Sequence, residues 1–348
     1  MSAHDARVIV AIAVAAGLAA ALLTGVVRRI ALARGVLDIP NERSSHAVPT
    51  PHGGGAAIVL SISVACVALW MRHAIDGDLL AALMGGLAVA ALGFVDDRRH
   101  LQAAPRFAVH VLAALWALAW LGGLPPVRLG DEVLSSGAAG YVIGVIGMVW
   151  VLNLFNFMDG IDGLAASEGA FVAWGGALVA AFGPGADGLW QPALVVGAAC
   201  CGFLLWNWPP ARIFMGDVGS GYLGYAVAVL TVAATRTDPV ALCVWLILGG
   251  VFWCDATVTL TRRVLRGESA HAAHRSHAYQ QLARRWGQHR GVTLLALAIN
   301  ILWLLPWAAY AELHPSRALA CTLAALIPLI LLALLAGAGG RERAGSRA

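Results

Sequence analysis

Apolar runs of roughly 20 residues recur from one end of the chain to the other, and a helix of that length crosses about 30 Å of hydrocarbon. Lipid offers no hydrogen-bond partners to an open backbone, so the spanning elements must be helices. With 60% hydrophobic residues, 12% charged residues and a mean hydropathy of +0.77, the 348-residue chain also differs from water-soluble domains. The sequence therefore predicts an all-α integral membrane protein.

The apolar runs predict about eleven transmembrane helices, organised as a single polytopic domain over residues 1–348. The first run is not interpreted as a signal peptide, because it is long and is followed directly by Arg28 and Arg29. The six cysteines lie in or beside apolar runs without metal-ligand spacing, which indicates packing residues. The predicted spans are 7–27, 53–72, 79–95, 106–121, 138–155, 164–182, 191–207, 219–235, 239–260, 291–311 and 318–337.

The 23 basic residues are all arginines, and the predicted spans divide them unequally between two sets of loops. One side has the arginines at positions 7, 72, 128, 236 and 317, and the other side has all the rest. By the positive-inside rule, the arginine-rich side is cytoplasmic. The N-terminus is then periplasmic and the C-terminus cytoplasmic, which requires an odd number of spans.

Five polar clusters interrupt the predicted cytoplasmic loops. Each carries more polar side chains than a simple connection between helices needs. All of them fall on one membrane face, although only the arginines were used to set the topology. This agreement predicts one shared site. The clusters are residues 38–46, 96–99, 156–163, 214–220 and 271–281.

Asp96 and Asp97 end an apolar run directly, so they would lie where hydrocarbon meets the cytosol. Two adjacent carboxylates repel each other at such a boundary unless a cation lies beside them. The simpler alternative is a solvated helix end in which these acids pair with Arg98 and Arg99.

Asp159 and Asp162 are three positions apart, a spacing that puts them on one face if a helix continues through them. Gly160 and Gly163 leave space beside the acids for a phosphate, a base or another backbone. Asn156 adds an amide that could bind the edge of a ligand. A glycine-rich turn with two capping aspartates is the simpler alternative.

Asp217 lies in a third glycine-bracketed segment, where Ser220 could cap the next helix. A single aspartate in such a segment is usually a turn residue, but here several aspartates gather on one face. An oxygen-rich set of this kind suits Mg²⁺ or Mn²⁺ bound together with substrate phosphates, and zinc fits poorly without a nearby cysteine. The set consists of Asp96, Asp97, Asp159, Asp162 and Asp217.

The last inner loop, residues 261–290, is rich in arginine and histidine. Arg275 and His277 beside an acidic metal site could hold a transferring diphosphate and stabilise its charge. A solvated positive-inside loop would explain the arginines alone. Asp255, inside the ninth predicted span, is either a functional intramembrane acid or the partner of an arginine in this loop.

Taken in order, the clusters resemble the polyprenyl-phosphate N-acetylhexosamine-1-phosphate transferase superfamily, of the glycosyltransferase 4 type. The resemblance covers most of the chain, and ordered motifs are specific where any one of them would be weak. The motifs are D-x-P-N-x-R-S-x-H at Asp38 to His46, G-G-G at Gly53 to Gly55, Asp96-Asp97, N-x-x-D-G-x-D-G-L at Asn156 to Leu164, and F-M-G-D-x-G-S at Phe214 to Ser220.

The resemblance implies an enzyme of the bacterial inner membrane that uses a UDP-N-acetyl sugar, undecaprenyl phosphate and Mg²⁺, with Mn²⁺ as the alternative ion, and that releases UMP. It implies Asp217 and Asp159 as metal ligands. The implied catalytic residues are Asp96, Asp97, Asp159, Asp162 and His277. The implied substrate-binding residues are Asp38, Asn41, Arg43, His46, Asn156, Asp162, Arg275, Tyr279 and Gln280. No nucleic acid partner is expected, and a homodimer is compatible with the sequence.

The histidine loop departs from this resemblance. GlcNAc-1-phosphate transferases resemble D-R-x-H-x-H-H, whereas this chain has H-R-x-H-A-Y-Q at His274 to Gln280. Tyr279 and Gln280 replace the His-His pair, a form similar to a subgroup that initiates O-antigen repeats with 6-deoxy-HexNAc sugars such as FucNAc or QuiNAc. We therefore expect a UDP-6-deoxy-N-acetylhexosamine donor and a role in O-antigen or other surface polysaccharide synthesis, with UDP-GlcNAc as the alternative donor.

Two other classes of protein compete with this interpretation. A transporter predicts ionisable residues near mid-bilayer and broken helices in paired halves. In this sequence the acids gather at one face and paired halves are not visible. A phosphotransferase acting on CDP-alcohols predicts one compact D-G-aspartate signature, which leaves the other four clusters unexplained.

Overall fold

The computed structural model describes residues 3–40, 48–99, 101–129, 131–135, 137–183, 189–268 and 274–340. The helices in these ranges are α1 (Ala3–Arg34), α2 (Gly55–Met71), α3 (Gly77–Met84), α4 (Gly86–Arg99), α5 (Ala103–Leu121), α6 (Ala139–Met158), α7 (Leu164–Ala180), α8 (Trp190–Asn207), α9 (Asp217–Thr237), α10 (Ala241–Leu248), α11 (Gly250–Val264), α12 (Ala278–Trp286), α13 (His289–Ile299), α14 (Leu305–Leu313) and α15 (Ala318–Ala336). A π-helix (Asn300–Leu304) joins α13 to α14, and a 3-10 turn (Pro315–Arg317) precedes α15.

Two small antiparallel sheets accompany the helices in the described ranges. Strand β1 (Leu37–Asp38) pairs with β2 (Thr50–Pro51), and strand β3 (Val127–Leu129) pairs with β4 (Glu132–Leu134). The first sheet follows α1 and precedes α2, and its register pairs Asp38 with Thr50. It therefore holds the predicted substrate-binding Asp38 next to the start of α2.

Each of the predicted apolar runs coincides with a helix or a helix pair in the described residues. Eight helical segments there are long and apolar enough to cross a membrane, and the bent pair α10–α11 is a further candidate. Helices α2 and α7 are apolar but only 17 residues long each. The chain is thus an all-α, multi-pass membrane protein, whereas the count of eleven spans and the orientation stay predictions.

The run predicted as one span over 239–260 is divided in the structure. Helices α10 and α11 meet at an angle of 73°, with Gly249 between them. Two consecutive glycines, Gly249 and Gly250, weaken helical continuity here. A Cβ at Gly249 would overlap the Trp253 indole, so the bend depends on the missing side chain. The bend redirects α11, which carries Asp255.

Helix α9 is the centre of the bundle. Nearly all of its residues are buried, and it contacts α2, α3, α4, α5, α6, α7 and α10. A Cβ on Gly224 would lie 2.8 Å from Leu152 Cα, so this glycine allows α6 to pack closely. The Tyr225 hydroxyl donates to the Ala82 carbonyl oxygen over 2.7 Å and ties α9 to α3. Because α9 begins at Asp217, this packing fixes the position of one of the predicted site residues.

Glycines also bring two other helices against the start of α9. A Cβ on Gly93 of α4 would overlap the backbone of Asp217, and a Cβ on Gly55 of α2 would overlap the backbone of Gly219. The Gly55 amide also donates to the Met215 carbonyl oxygen over 2.8 Å. The G-G-G motif and the F-M-G-D motif are therefore in direct backbone contact.

Candidate active site

The site is built around Asp217, the first residue of α9. Gly216 precedes it with a φ of 78°, in the left-handed region that favours glycine, and turns the chain into the helix. The Asp217 backbone amide donates to Asp97 Oδ1 over 2.8 Å, so a side chain from α4 caps α9. Two predicted acidic residues that are 120 positions apart are therefore adjacent in space.

Asn156, in the last turn of α6, contacts Asp217 directly. Its Nδ2 donates to Asp217 Oδ1 over 2.7 Å and to Ser220 Oγ over 3.1 Å. The Ser220 hydroxyl in turn donates to the Gly216 carbonyl oxygen over 3.3 Å. This network fixes the orientation of the Asp217 carboxylate. Asn156 therefore orients an acidic residue of the site, and its binding of substrate stays a prediction.

Asp159 follows α6 directly and lies near the same aspartates. Burial raises the pKa of its carboxyl well above the usual range, and the negative charges of Asp217, Asp97 and Asp162 raise the pKa further. Several carboxyl groups are therefore close together in a poorly solvated place. Negative charge gathered in this way favours the binding of a cation.

Asp96 is held by charge and by backbone at the end of α4. Arg106 Nη1, from α5, lies 2.8 Å from Asp96 Oδ2, and the Leu101 backbone amide donates to Oδ1 over 2.5 Å. The alternative of a solvated helix end paired with Arg98 and Arg99 is not what the structure shows for Asp96, and Arg98 lies over the Phe94 ring at 3.5 Å. Asp96 is instead buried and paired with an arginine of the next helix.

A cavity of about 450 Å³ opens beside these aspartates, and its lining includes Asp38, His52, Asp96, Asp97, Arg106 and Asp217. His52, directly after β2, places Nδ1 at 3.9 Å from Asp97 Oδ1. The lining thus combines carboxylates with an arginine and a histidine. Such a combination suits a phosphate-bearing ligand accompanied by a cation.

Asp162 lies in the turn between α6 and α7, and both of its carboxylate oxygens have protein partners. His289 Nδ1 lies 3.2 Å from Oδ1, and the Ala211 backbone amide donates to Oδ2 over 3.0 Å. The Thr293 hydroxyl donates to the Asp162 carbonyl oxygen over 2.9 Å. Asp162 therefore ties this turn to α13 and to the segment before α9, and its predicted catalytic and substrate-binding roles stay predictions.

Asp255 organises the loop that precedes α12. Its carboxylate accepts hydrogen bonds from the backbone amides of Ala278 and Tyr279, over 2.8 and 2.9 Å, and so caps the helix. His277, a predicted catalytic residue, is buried with Nδ1 at 3.4 Å from Asp255 Oδ1. Of the two alternatives that the sequence left for Asp255, the structure shows a cap of α12 next to His277 in place of an ion pair with a loop arginine, and a functional role stays a prediction.

Tyr279 and Gln280 are buried against the turn that follows α6. The Tyr279 hydroxyl donates to the Phe157 carbonyl oxygen over 2.9 Å, and Gln280 Oε1 accepts the His277 backbone amide over 3.3 Å. A Cβ on Gly160 would overlap the Tyr279 hydroxyl, so this pair packs directly on the Asp159 turn. The Tyr279 hydroxyl and Gln280 Oε1 therefore have protein partners, and the predicted contact of these two residues with the substrate stays a prediction.

Mg²⁺ is usually held by one or two protein carboxylates together with substrate phosphates. Asp217 and Asp159 fit such an ion, because buried carboxyls with mutually unfavourable charges gain from a divalent cation between them. Within the described residues, His, Cys, Asp and Glu form no group of three or more able to hold a metal by themselves. Substrate phosphates would therefore have to complete the coordination of an ion at this position.

The structure brings Asp38, Asp96, Asp97, Asp159 and Asp217 to one place, together with Asn156. Arg275 lies in the neighbouring loop, where its carbonyl oxygen accepts a hydrogen bond from Arg284, and Tyr279 and Gln280 lie in the first turn of α12. The predicted substrate-binding residues Asn41, Arg43 and His46 lie outside the described residues.

Sequence reasoning missed three residues that contact the aspartates, namely His52, Arg106 and His289. His52 stands directly before the G-G-G motif, and this position was the only signal that could have identified it. Arg106 was counted only among the arginines of the predicted cytoplasmic side, and His289 only among the histidines of the last inner loop. Asp96 is separated from Arg106 by the connection between α4 and α5, and Asp162 is 127 positions from His289, so spacing could not reveal either pairing.

Comparison with known proteins identifies the family of the chain. Residues 79–235, which include three of the acidic motifs, match the family described as glycosyl transferase family 4. The decaprenyl-phosphate N-acetylglucosaminephosphotransferase of Mycobacterium tuberculosis (strain CDC 1551 / Oshkosh) is 30% identical over 315 residues, which cover 80% of this chain and 78% of that protein. The chain belongs to glycosyl transferase family 4.

Two further relatives carry related names. The probable undecaprenyl-phosphate N-acetylglucosaminyl 1-phosphate transferase of Bacillus subtilis (strain 168) is 29% identical over 303 residues, covering 85% of this chain and 83% of that protein. The phospho-N-acetylmuramoyl-pentapeptide-transferase of Mycobacterium sp. (strain KMS) is 33% identical over 251 residues, covering 60% of this chain and 68% of that protein. All of these relatives are sugar phosphotransferases by name.

Proposed function

We propose that this protein transfers an N-acetylhexosamine-1-phosphate from a UDP-sugar to a polyprenyl phosphate and releases UMP. The observation that carries the proposal is that Asp97 and Asp217 line one cavity, with Asp159 close enough for their charges to raise its pKa and with Asn156 orienting Asp217. Two relatives named as prenyl-phosphate N-acetylglucosamine phosphotransferases support the same reaction. The match to this chain covers more than three quarters of the length of each relative.

In the proposed reaction, an oxygen of the acceptor phosphate attacks the β-phosphorus of the donor. A new phosphorus–oxygen bond forms to the lipid phosphate, and the bond from the β-phosphorus to the oxygen shared with the α-phosphate breaks. The bonding electrons leave with UMP, and the lipid retains a diphosphate-linked sugar. Mg²⁺, bound by Asp217 and Asp159, would supply charge neutralisation at the diphosphate.

The residues of the chain have separate tasks in this proposal. Asp97 and Asn156 hold the start of α9 and the Asp217 carboxylate in position. Arg106 and His52 line the cavity beside the acids and would hold phosphate oxygens. Asp96, paired with Arg106, would then place the acceptor phosphate rather than act alone.

The relatives favour UDP-GlcNAc, the alternative of the sequence analysis, over the 6-deoxy donor. Four of the relatives with the highest coverage are N-acetylglucosamine transferases by name. The buried positions of Tyr279 and Gln280 also give no support to direct contact with C6 of the sugar. We therefore propose UDP-GlcNAc as the donor, with undecaprenyl or decaprenyl phosphate as the acceptor.

The remaining sequence expectations belong to the same proposal. Eleven spans with a periplasmic N-terminus would put the aspartates at the cytoplasmic face of the bacterial inner membrane, where UDP-sugars are present. The enzyme would then initiate a lipid-linked surface polysaccharide.

One assay tests the donor and the reaction together. Purified protein in lipid nanodiscs receives undecaprenyl phosphate and either UDP-GlcNAc, a UDP-6-deoxy-N-acetylhexosamine or UDP-MurNAc-pentapeptide, and UMP release is followed. We expect UDP-GlcNAc to be preferred by about tenfold or more in kcat/KM, which is about 1.4 kcal/mol of transition-state discrimination. A kcat/KM for the 6-deoxy donor equal to or above that for UDP-GlcNAc would reject UDP-GlcNAc as the preferred donor. If none of the three donors gave UMP release that depends on the acceptor, the proposed reaction would be rejected.

A further inference from the structure

A polar contact inside the bundle joins α7 to the π-helix that follows α13. Asn300 Nδ2 donates to Glu168 Oε2 over 2.6 Å, and both side chains are 1% exposed. Asn300 is the first residue of the π-helix, and Glu168 lies in the second turn of α7. Ionisable side chains at such positions are rare and usually functional.

The second polar atom of each side chain has no partner. Glu168 Oε1 and Asn300 Oδ1 are both buried without a hydrogen bond. An ionised carboxylate offers only acceptors, so in that form two buried acceptor oxygens of one hydrogen-bonded pair would be left unsatisfied. A neutral carboxylic acid removes the conflict, because an Oε1–H group can donate to Asn300 Oδ1 while Oε2 accepts from Nδ2.

The surroundings support the neutral form. Within the described residues, Glu168 has no ion pair, and α7 is buried along most of its length. An unpaired charge in such a place is costly, whereas a neutral acid with two hydrogen bonds to an amide is satisfied. The acid and the amide then form a closed pair.

The contact between Asn300 and Glu168 joins the same two stretches of chain as the contacts that hold Asp162. His289 and Thr293 of α13 bind the Asp162 side chain and carbonyl oxygen at the start of α7. Asn300 lies about two helical turns beyond Thr293, and Glu168 lies within two turns of Asp162 on the other side. The same two helical segments are therefore joined both at the site and deeper in the bundle.

The π-helix makes this deeper contact sensitive to register. A π turn holds one residue more than an α turn, is rare, and is frequently found at functional sites. It sets the rotation of α13 relative to α14, and Asn300 begins it. If the contact with Glu168 is lost, α13 can slide or rotate against α7, and His289 and Thr293 move with it.

We infer that Glu168 is a neutral acid paired with the Asn300 amide, and that this pair is a positioning element that keeps the Asp159–Asp162 turn in register with α13. The positioning part rests on the proposed function, since that turn carries two of the proposed site residues. The pairing itself does not depend on it.

Glu168→Gln is the informative variant. A glutamine offers one donor and one acceptor, like a neutral acid, so the closed pair with Asn300 is retained. We expect Glu168→Gln to keep transferase activity within about twofold, whereas Glu168→Leu and Asn300→Leu lower kcat by about tenfold or more, because misplacing site groups by even 1 Å is costly. Ser167→Ala is the matched control, since Ser167 is the buried neighbour of Glu168 and its hydroxyl has no partner.

A transposed pair tests whether the two side chains act on each other. Glu168→Asn and Asn300→Glu are each expected to impair kcat. The first variant leaves two amides and the second leaves two carboxyl groups, where the wild type has one acid and one amide. The double variant restores one acid and one amide with the same total side-chain length, and we expect it to recover most of the activity. A double variant no better than the worse single variant would overturn the coupling.

Infrared spectroscopy reports the protonation state without any assay. The difference spectrum between the wild type and Glu168→Gln should contain the carbonyl stretch of one neutral carboxylic acid, present in the wild type and lost in the variant. No such difference, or a Glu168→Gln variant as impaired as Glu168→Leu, would overturn the neutral pair. Wild-type kcat in a folded Glu168→Leu variant would overturn the positioning role. If the wild type transferred none of the sugars, the proposed function would fail, whereas the infrared result would still decide the pairing.

Discussion

Asp97 accepts a hydrogen bond from the backbone amide of Asp217 over 2.8 Å, so one acidic side chain of the site is the cap of the helix on which another begins. The same carboxylate therefore has a structural and an electrostatic role. A substitution that keeps the acceptor oxygen and removes only the charge separates the two roles.

Asp97→Asn keeps a side-chain oxygen for the Asp217 amide, whereas Asp97→Ala removes it. We expect both variants to lose transferase activity, but only Asp97→Ala to lose about 1 kcal/mol of stability as a missing cap. UMP release and thermal unfolding in detergent measure the two effects. Asp76→Ala is the matched control, because Asp76 caps α3 by accepting the Leu79 amide. It should lose stability and keep activity, and an active Asp97→Asn variant would exclude a role for the charge.

Asp217→Asn should weaken metal binding, because an amide oxygen is a poorer ligand for Mg²⁺ than a carboxylate. We expect kcat to fall by about 100-fold, or ~2.7 kcal/mol, with part of the loss recovered at high Mg²⁺. UMP release across a Mg²⁺ titration is the measurement. Asp238→Asn, at the other end of α9, is the control and should leave the Mg²⁺ dependence unchanged. Full activity of Asp217→Asn at limiting metal would rule out the metal-binding role.

Gly160→Ala should displace the start of α12, because the new Cβ would overlap the Tyr279 hydroxyl. We expect a large loss of activity that Tyr279→Phe partly restores in the double variant, since removing the hydroxyl makes room. Gly147→Ala in α6 is the control, because a Cβ there meets nothing within 4 Å. If the double variant is no more active than Gly160→Ala alone, the clash with Tyr279 is not the cause.

Docking of the loop at residues 274–277 should weaken as the pH falls. Burial, together with the neighbouring His277 and Arg263, lowers the pKa of His274 from the ordinary 6.5 to about 4. The undocked loop therefore binds the proton more strongly, so undocking is favoured progressively from pH 6.5 down to about 4 and is independent of this group above pH 6.5.

Hydrogen exchange of the backbone amides at residues 276–280 would measure this docking. Protection factors should fall with pH in the wild type and change less in His274→Asn, whose amide oxygen can replace Nδ1 as the acceptor near Ser276. Equal pH dependence in both proteins would assign the effect to another group.

The predicted orientation can be tested in intact cells with a membrane-impermeant maleimide. On a background without the six native cysteines, Arg99→Cys and Arg212→Cys should be protected, whereas His73→Cys and Asp131→Cys should be labelled from the periplasm. Labelling of Arg212→Cys from outside would invert the topology. Opposite results for Arg99 and Arg212 would place the aspartates on different faces and contradict the single site.

The sequence alone predicted most of the architecture and the identity of the acids. Every apolar run became a helix or a helix pair, because a run of the length that lipid demands has few other structures available. The aspartates could be assigned to one face because their loops alternate with those runs. The apolar runs are local signals, and the assignment of the loops depends only on whether an odd or an even number of spans separates them. Neither requires knowledge of how the helices pack.

The tertiary structure decided what each polar residue does. Asp255 became the cap of α12, Asp162 became bound to His289, and the Tyr279 hydroxyl became bound to the Phe157 carbonyl oxygen. These partners are brought together by the packing of whole helices, and no spacing in the sequence encodes them. The sequence determined which side chains lie in the polar loops between the helices. The packing of α4, α6 and α9 decided which of these side chains meet. Contacts between distant segments depend on the relative rotation and depth of the helices that carry them.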